Sequence, residues 1–193
     1  MAAYGRQLPR QGAGLIEAHA RYFNYPDAGV TRSKEDIPRF GFKAAFISNS
    51  FAAYRVAALR EIGGFPSDVI LGEDFYAAAR LLQAGGKIAY VADSRVLHSH
   101  GYGVIQEARR YFDIGVFHAS NPWLLQLLGR AGGEGLKFVR SELGFLLRKN
   151  VFLIPEALIR TVMKLLFYRL GLAYRLLPRD VNRSLSMHRF YWD

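Results

Sequence analysis

Residues 72–92 read Gly72-Glu73-Asp74-Phe75-Tyr76-Ala77-Ala78-Ala79-Arg80-Leu81-Leu82-Gln83-Ala84-Gly85-Gly86-Lys87-Ile88-Ala89-Tyr90-Val91-Ala92. This is a helix, a stop and a strand. The helix opens near Glu73-Asp74, where the positive end of a macrodipole favours carboxylates, and runs to Ala84. Gly85-Gly86 ends it as helix ends prefer, and Lys87 to Ala92 alternates with the period of a strand. Working back, Phe51 to Ile62 predicts another helix, closed by Gly63-Gly64 with Pro66 beyond. The short apolar run Ala44 to Ile47 has the length of a buried strand that delivers Ser48-Asn49-Ser50 to a loop. Asp27 to Arg39, polar and bordered by prolines, predicts an exposed loop, and residues 14–25 have helical spacing that stops before Pro26. Working forward, Arg95 to Leu97 predicts a further strand. Helical patterns then run from Val104 into the tail, with breaks at Asn121-Pro122 and Gly132-Gly133. Strand and helix alternate in the first half and helix dominates the second, which predicts an α/β body followed by a helical extension.

The chain has 193 residues, 51% hydrophobic and 22% charged, the balance of one packed domain or slightly more. It has no cysteine, which excludes disulfide scaffolds and thiolate metal or redox sites. The net charge is +10, so an anionic partner is expected: nucleic acid, an anionic membrane surface or a phosphorylated substrate. From Lys137 to Arg189 eleven basic residues face only Glu142, Glu156 and Asp180, so +8 of that charge lies in the tail. No recognised nucleic-acid motif accompanies it, which argues against nucleic acid. The opening Met1-Ala2-Ala3-Tyr4-Gly5-Arg6 lacks the pattern of an export signal. Val151 to Leu172 is the most apolar stretch, but Glu156, Arg160, Lys164 and Arg169 interrupt it. Each charge would cost about 2.5–3.5 kcal/mol at mid-bilayer, so the segment is not expected to cross. Glu156, Arg160, Lys164 and Arg175 share one side of a helical wheel, as in a basic amphipathic helix. Such a helix either lies on an anionic membrane or packs on the core with a solvated face.

Three groups of residues could carry chemistry. Glu73-Asp74 follows the hydrophobic Val69-Ile70-Leu71, and two carboxylates at a helix start either stabilise the helix or do acid–base work. His98-Ser99-His100 follows Val96-Leu97. On a strand, positions two apart face one side, so both imidazoles can address one pocket, as packed or surface residues or as a metal or anion site. Without cysteine a closed zinc site is disfavoured, and a hard divalent ion shared with carboxylate and phosphate oxygens suits the set better. Arg109 and Arg110, in Gln106-Glu107-Ala108-Arg109-Arg110, either bind phosphate through forked hydrogen bonds or form a solvated helix face.

In order along the chain stand Gly5-Arg6-Gln7-Leu8-Pro9, Phe23-Asn24-Tyr25-Pro26, Ser48-Asn49-Ser50, Tyr54-Arg55, Ile62-Gly63-Gly64-Phe65-Pro66, Gly72-Glu73-Asp74, His98-Ser99-His100 and Arg110-Tyr111-Phe112-Asp113-Ile114-Gly115. Together they resemble the rhamnosyltransferase branch of glycosyltransferase family 2. The closing Ser186-Met187-His188-Arg189-Phe190-Tyr191-Trp192 is similar to the tail of such enzymes. The resemblance implies a GT-A, Rossmann-like fold and an inverting, metal-assisted transfer from a nucleotide sugar, with deoxythymidine-diphosphate L-rhamnose as donor. The acceptor would be a saccharide or a lipid-linked saccharide in surface polysaccharide synthesis. Glu73 and Asp74 would be catalytic, Asp74 as general base, and His98 would bind Mg²⁺ or Mn²⁺. Arg6, Gln7, Asn49, Ser50, His100, Arg109 and Arg110 would bind substrate. Gln106 to Arg110 is similar to the Gln-x-x-Arg-Trp motif of polysaccharide synthases, with Arg110 and Tyr111 where Trp is expected. In that family a nucleotide-binding half ending in Asp-x-Asp precedes the Gly-Arg-Gln motif, and this sequence contains no Asp-x-Asp. The expected organisation is therefore the acceptor-side part of a GT-A domain at 1–118 and a helical, basic, membrane-associating extension at 119–193. Activity would be incomplete without the N-terminal half, supplied as a separate partner if the enzyme is split. The alternative is a non-catalytic remnant or an acceptor- or membrane-binding module. The expected location is the cytoplasm, with docking on the inner face of the plasma membrane.

Overall fold

A computed structural model describes residues 1–129 and 133–193; Gly132 of the expected Gly132-Gly133 break lies outside the described residues. A four-stranded mixed sheet has the order β2-β4-β1-β3, with β1 Ala2–Leu8, β2 Val30–Arg32, β3 Ala52–Tyr54 and β4 Ile88–Leu97. The central pair β1 and β4 is parallel, and the outer strands are antiparallel to their neighbours. Nine helices are described: α1 Leu15–Asn24, α2 Ile37–Phe40, α3 Val56–Glu61, α4 Glu73–Gln83, α5 Val104–Ser120, α6 Pro122–Leu128, α7 Glu134–Lys149, α8 Ile154–Leu172 and α9 Arg179–Leu185. This is an α/β fold compatible with part of a Rossmann-like domain. Among the described residues, no helix is long and apolar enough to cross a membrane.

The helix–stop–strand of residues 72–92 forms as expected, and it organises the core. Ala78, Ala79, Leu81 and Leu82 of α4 are buried in one cluster with Ile88 of β4 and with Phe112, Val116 and Phe117 of α5. The alanines let helix and sheet approach, while the leucines fill the remaining space. On the sheet, Tyr4 packs on Tyr90, Phe46 and Tyr25 with ring centroids 5.0, 5.8 and 6.4 Å away.

Four segments differ from the sequence reading. Residues 27–39, expected as an exposed loop, contain the edge strand β2 and the helix α2. Arg32 there is buried, donating to the Tyr4 hydroxyl at 2.7 Å, to the Phe46 carbonyl at 2.8 Å and to the Lys43 carbonyl. Ala44, Ala45 and Ile47 are buried but the run is not a strand; its first two residues end a 3-10 turn at Gly41–Ala45, because an apolar run so short satisfies burial without a ladder. Phe51 to Ile62 is not one helix. Phe51 closes a 3-10 turn, Ala52–Tyr54 is β3, which pairs with β1, and only Val56–Glu61 is α-helical. Finally, the two strands expected at 87–97 are one strand with a register shift opposite Gly5 and Arg6. A Cβ on Gly5 would stand 2.3 Å from the Phe51 ring and 2.6 Å from the Ser94 carbonyl, so the irregularity requires glycine there.

The extension is joined to the body by a close helix crossing. A Cβ on Gly171 of α8 would stand 2.1 Å from the Phe112 carbonyl of α5, and one on Gly115 would stand 2.3 Å from the Tyr168 carbonyl. The two backbones touch at these glycines, which anchors α8 along α5.

Candidate active site

Parallel pairing puts the carboxyl ends of β1 and β4 at the same edge, where α/β sheets place their ligands. The His98 amide donates to the Leu8 carbonyl (2.9 Å), and the Arg10 amide donates to the Ser99 hydroxyl (3.1 Å), so the two post-strand segments leave the sheet together. An open cavity of about 1600 Å³ lies beyond this edge, walled by the 46–50 segment, the start of α4 and helices α1, α5, α7 and α8.

Gly72 caps α4 from a left-handed conformation (φ 79°), which turns the chain so that Glu73 and Asp74 head the helix. The Asn49 amide donates to Asp74 Oδ2 at 3.1 Å, and the Phe75 amide donates to Oδ1 at 2.7 Å. The Asn49 side chain donates to Glu73 Oε1 at 3.0 Å, and Tyr54 donates to Asn49 Oδ1 at 2.8 Å. Asn49 thus holds both carboxylates, and Tyr54 fixes the orientation of its amide. Next to Asn49, Ser50 Oγ lies 3.2 Å from His98 Nε2, which lies 3.1 Å from His100 Nε2. Gln7 donates to Ser48 Oγ at 2.9 Å and accepts from Arg21 at 2.7 Å.

Burial pushes the Asp74 carboxyl above the usual aspartate range. The Asn49 and Phe75 amides oppose that rise, Glu73 adds to it, and Arg110 weakly opposes it. Burial also pushes His98 and His100 down, aided in His98 by Arg21 and Arg10 and in His100 first by His98. The site therefore pairs a strengthened base with two imidazoles that favour the neutral form.

The chain aligns over 192 of its 193 residues with the O-antigen chain rhamnosyltransferases WbaN of Salmonella anatum, at 50% identity, and RfbN of Salmonella typhimurium, at 48%. Its homologues are O-antigen chain rhamnosyltransferases. The chain spans 61% of the length of each. No protein-family model and no solved structure matches it.

Against this homology, Glu73, Asp74, His98, Gln7, Asn49, Ser50, His100 and Arg110 all line the one cavity. Arg6 and Arg109 do not. Arg6 follows the opposite face of β1 from Gln7 and donates to the Tyr25 carbonyl at 3.1 Å, and Arg109 sits one helix position away from Arg110. Gln106 caps α5, accepting from the Gly103 amide at 3.0 Å. His98 and His100 lie just past the end of β4 rather than on it, yet they converge.

Among the described residues, no group of three or more His, Asp or Glu is placed to hold a metal ion. The donor set present is two convergent, neutral-leaning imidazoles with a hydroxyl beside them. It fits Mn²⁺ better than Mg²⁺, which demands oxygen ligands, and any further ligands would come from substrate phosphate or from polypeptide outside this sequence.

The extension supplies site residues that sequence reading placed elsewhere. Arg160 and Lys164, expected on a basic outer face, turn inward. Arg160 pairs with Glu107 at 2.9 Å and Glu156 at 2.8 Å. Lys164 is 8% exposed, 3.3 Å from Glu107, and stands over the rings of Tyr111 and Phe138. The outward stripe of α8 is apolar instead: Leu158, Ile159, Val162, Leu165 and Leu166 are exposed. The wheel separated the two faces, but Glu107 on α5 decides which one points in. Sequence reading also left Tyr54 without a role, although Tyr54-Arg55 stood among the motifs. His118, likewise unassigned, lies 3.0 Å from the Tyr168 hydroxyl, and burial lowers its pKa to about 4.

Proposed function

We propose that this chain is the acceptor-side portion of an inverting GT-A rhamnosyltransferase of glycosyltransferase family 2, acting in O-antigen synthesis. The observation that carries the reading is the half-buried Asp74, held by two amides in a cavity that also receives the paired imidazoles. A sugar hydroxyl is a poor nucleophile, and a carboxylate whose affinity for protons is raised assists it best. In the proposed step the acceptor oxygen bonds to the anomeric carbon of rhamnose while the bond from that carbon to the diphosphate breaks. The hydroxyl proton passes to Asp74, and attack opposite the leaving group inverts the anomeric centre. Glu73, tied to the same Asn49, keeps the base oriented. A divalent cation bound beside His98 and His100 would supply charge neutralisation to the departing diphosphate. The test is transfer by the full-length protein from deoxythymidine-diphosphate L-rhamnose with Mn²⁺ to O-antigen oligosaccharide. Rhamnosylated product with inverted linkage is expected; no product and no donor binding would leave an acceptor-binding module.

The outward stripe of α8 supports docking on an anionic bilayer in the same reading. Val162 at its centre is 64% exposed, and nine of the tail's eleven basic residues remain besides the inward-turned Arg160 and Lys164. Each basic residue near an anionic leaflet contributes on the order of 1 kcal/mol, and apolar burial in the interface adds to it. The full-length protein is expected to float with anionic vesicles, less so at high salt. The double change Val162→Asp, Leu166→Asp should abolish flotation without loss of folding. Wild-type protein that ignores such vesicles would mean that another part of the polypeptide covers the stripe.

A further inference from the structure

Two motifs that the proposed step does not use meet in space. Asp113 of α5 is fully buried, and its Oδ2 accepts from the Met187 amide at 3.0 Å, the His188 amide at 3.1 Å and the His188 ring Nδ1 at 2.8 Å. The Ser186 hydroxyl, also buried, accepts from the His188 amide at 3.0 Å. Behind them the tail is held by Trp192 against Phe112 and Tyr174, with ring centroids 6.3 and 6.0 Å apart. Tyr191 donates to the Asp68 carbonyl at 3.5 Å, in the loop that leads into Glu73-Asp74. The tail therefore lies along the approach to the base.

For a mere strap, the two amides on Asp113 would suffice. The imidazole adds a third bond that fixes its ring, yet that side chain stays 44% exposed and lines the same cavity as Asp74. A ring whose Nδ1–H is held by a carboxylate has its orientation set from behind, and in the neutral tautomer that this bond defines Nε2 carries the lone pair. Among the described residues, Nε2 has no hydrogen-bond partner. A lone pair accepts from a hydroxyl and has nothing to offer a phosphate oxygen. In the proposed step the acceptor sugar must bring its attacking hydroxyl to Asp74, and its other hydroxyls enter the same cavity.

We propose that His188 is an acceptor-binding residue whose Nε2 takes a hydrogen bond from a saccharide hydroxyl, with Asp113 as the residue that positions the ring. This rests on the transferase reading of the cavity, so the experiment has two arms, both on the full-length protein. In the first, ¹⁵N spectra of labelled histidine are recorded while O-antigen oligosaccharide is added without donor. A protonated Nδ1 and a shift of the His188 Nε2 resonance are expected; an unmoved Nε2 under saturating oligosaccharide would overturn the proposal. In the second, His188→Ala should raise the acceptor KM roughly tenfold, the loss of one hydrogen bond, with donor KM unchanged. His188→Gln should recover part of it. An unchanged acceptor KM would overturn the proposal, and if His188→Ala fails to fold, the spectra decide. Normal transfer with no His188 effect rejects this inference alone. A shifted Nε2 in a protein that transfers nothing rejects the transferase reading and keeps the binding site.

Discussion

Replacing Asp74 with Asn in the full-length protein is expected to lower kcat by at least about 10²–10⁴-fold, the usual contribution of a positioned general base. The amide has the shape of the carboxylate and can still accept from the Asn49 or Phe75 amide, but it takes no proton. The fold should not suffer. Because burial raises the Asp74 pKa in the folded state, the stabilising share of this group is present at low pH and is lost as pH rises through the folded value. At neutral pH the ionised carboxylate is therefore a cost, and a neutral isostere should melt no lower than wild type. Transfer at the wild-type rate would remove Asp74 from the mechanism, and a collapsed melting curve would assign it to the fold instead.

Gly171→Ala is expected to cause the largest loss of stability among glycine-to-alanine changes at the described residues. The new Cβ would meet the Phe112 carbonyl at 2.1 Å, and Gly115→Ala would meet the Tyr168 carbonyl at 2.3 Å. Both obstacles are backbone, so no side chain can swing aside, and α8 must lift from α5. Overpacking of this kind costs about 3 kcal/mol or more, a fall in melting temperature of roughly 6–12 °C for a domain of this size. Arg160 and Lys164 would lose their register with Glu107, and the cavity would lose its wall. Gly144→Ala on α7 is the control, since a Cβ there meets nothing within 4 Å, and it should be neutral or stabilising by up to about 1 kcal/mol. Equal melting of Gly171→Ala and the control would contradict the crossing.

What the sequence disclosed followed physical locality. The α4 helix, its Gly85-Gly86 stop and the start of β4 were legible because caps, period and stop agree within about twenty residues. The convergence of Asn49 on Glu73 and Asp74 and of Ser50 on His98 was legible only through ordered motifs, since the hydrogen bonds that join them span 24 to 48 positions. β1 was not foreseen. Ala2-Ala3-Tyr4-Gly5-Arg6-Gln7-Leu8 is poor in β-branched residues and is a strand because β4 and β3 pair with it on both sides. The inward turn of Arg160 and Lys164 was equally hidden, because helical periodicity separates two faces without stating which one meets a partner. Asp113 and His188 lay in motifs 75 positions apart, and nothing local to either announced the bond between them.

The most direct test of the central assignment is kcat as a function of pH for the full-length protein and its Glu73→Gln variant. Asp74 acts as base only when ionised, so activity should fall on the acid side as the carboxylate takes up its proton. Burial first, and the Glu73 charge beside it, place that fall above the ordinary aspartate value of 3.8. Glu73→Gln keeps an oxygen for Asn49 but removes the neighbouring charge, so the acid limb should move to lower pH. An acid limb that stays in place in Glu73→Gln, or one at the ordinary aspartate value in wild type, would contradict Asp74 as the base.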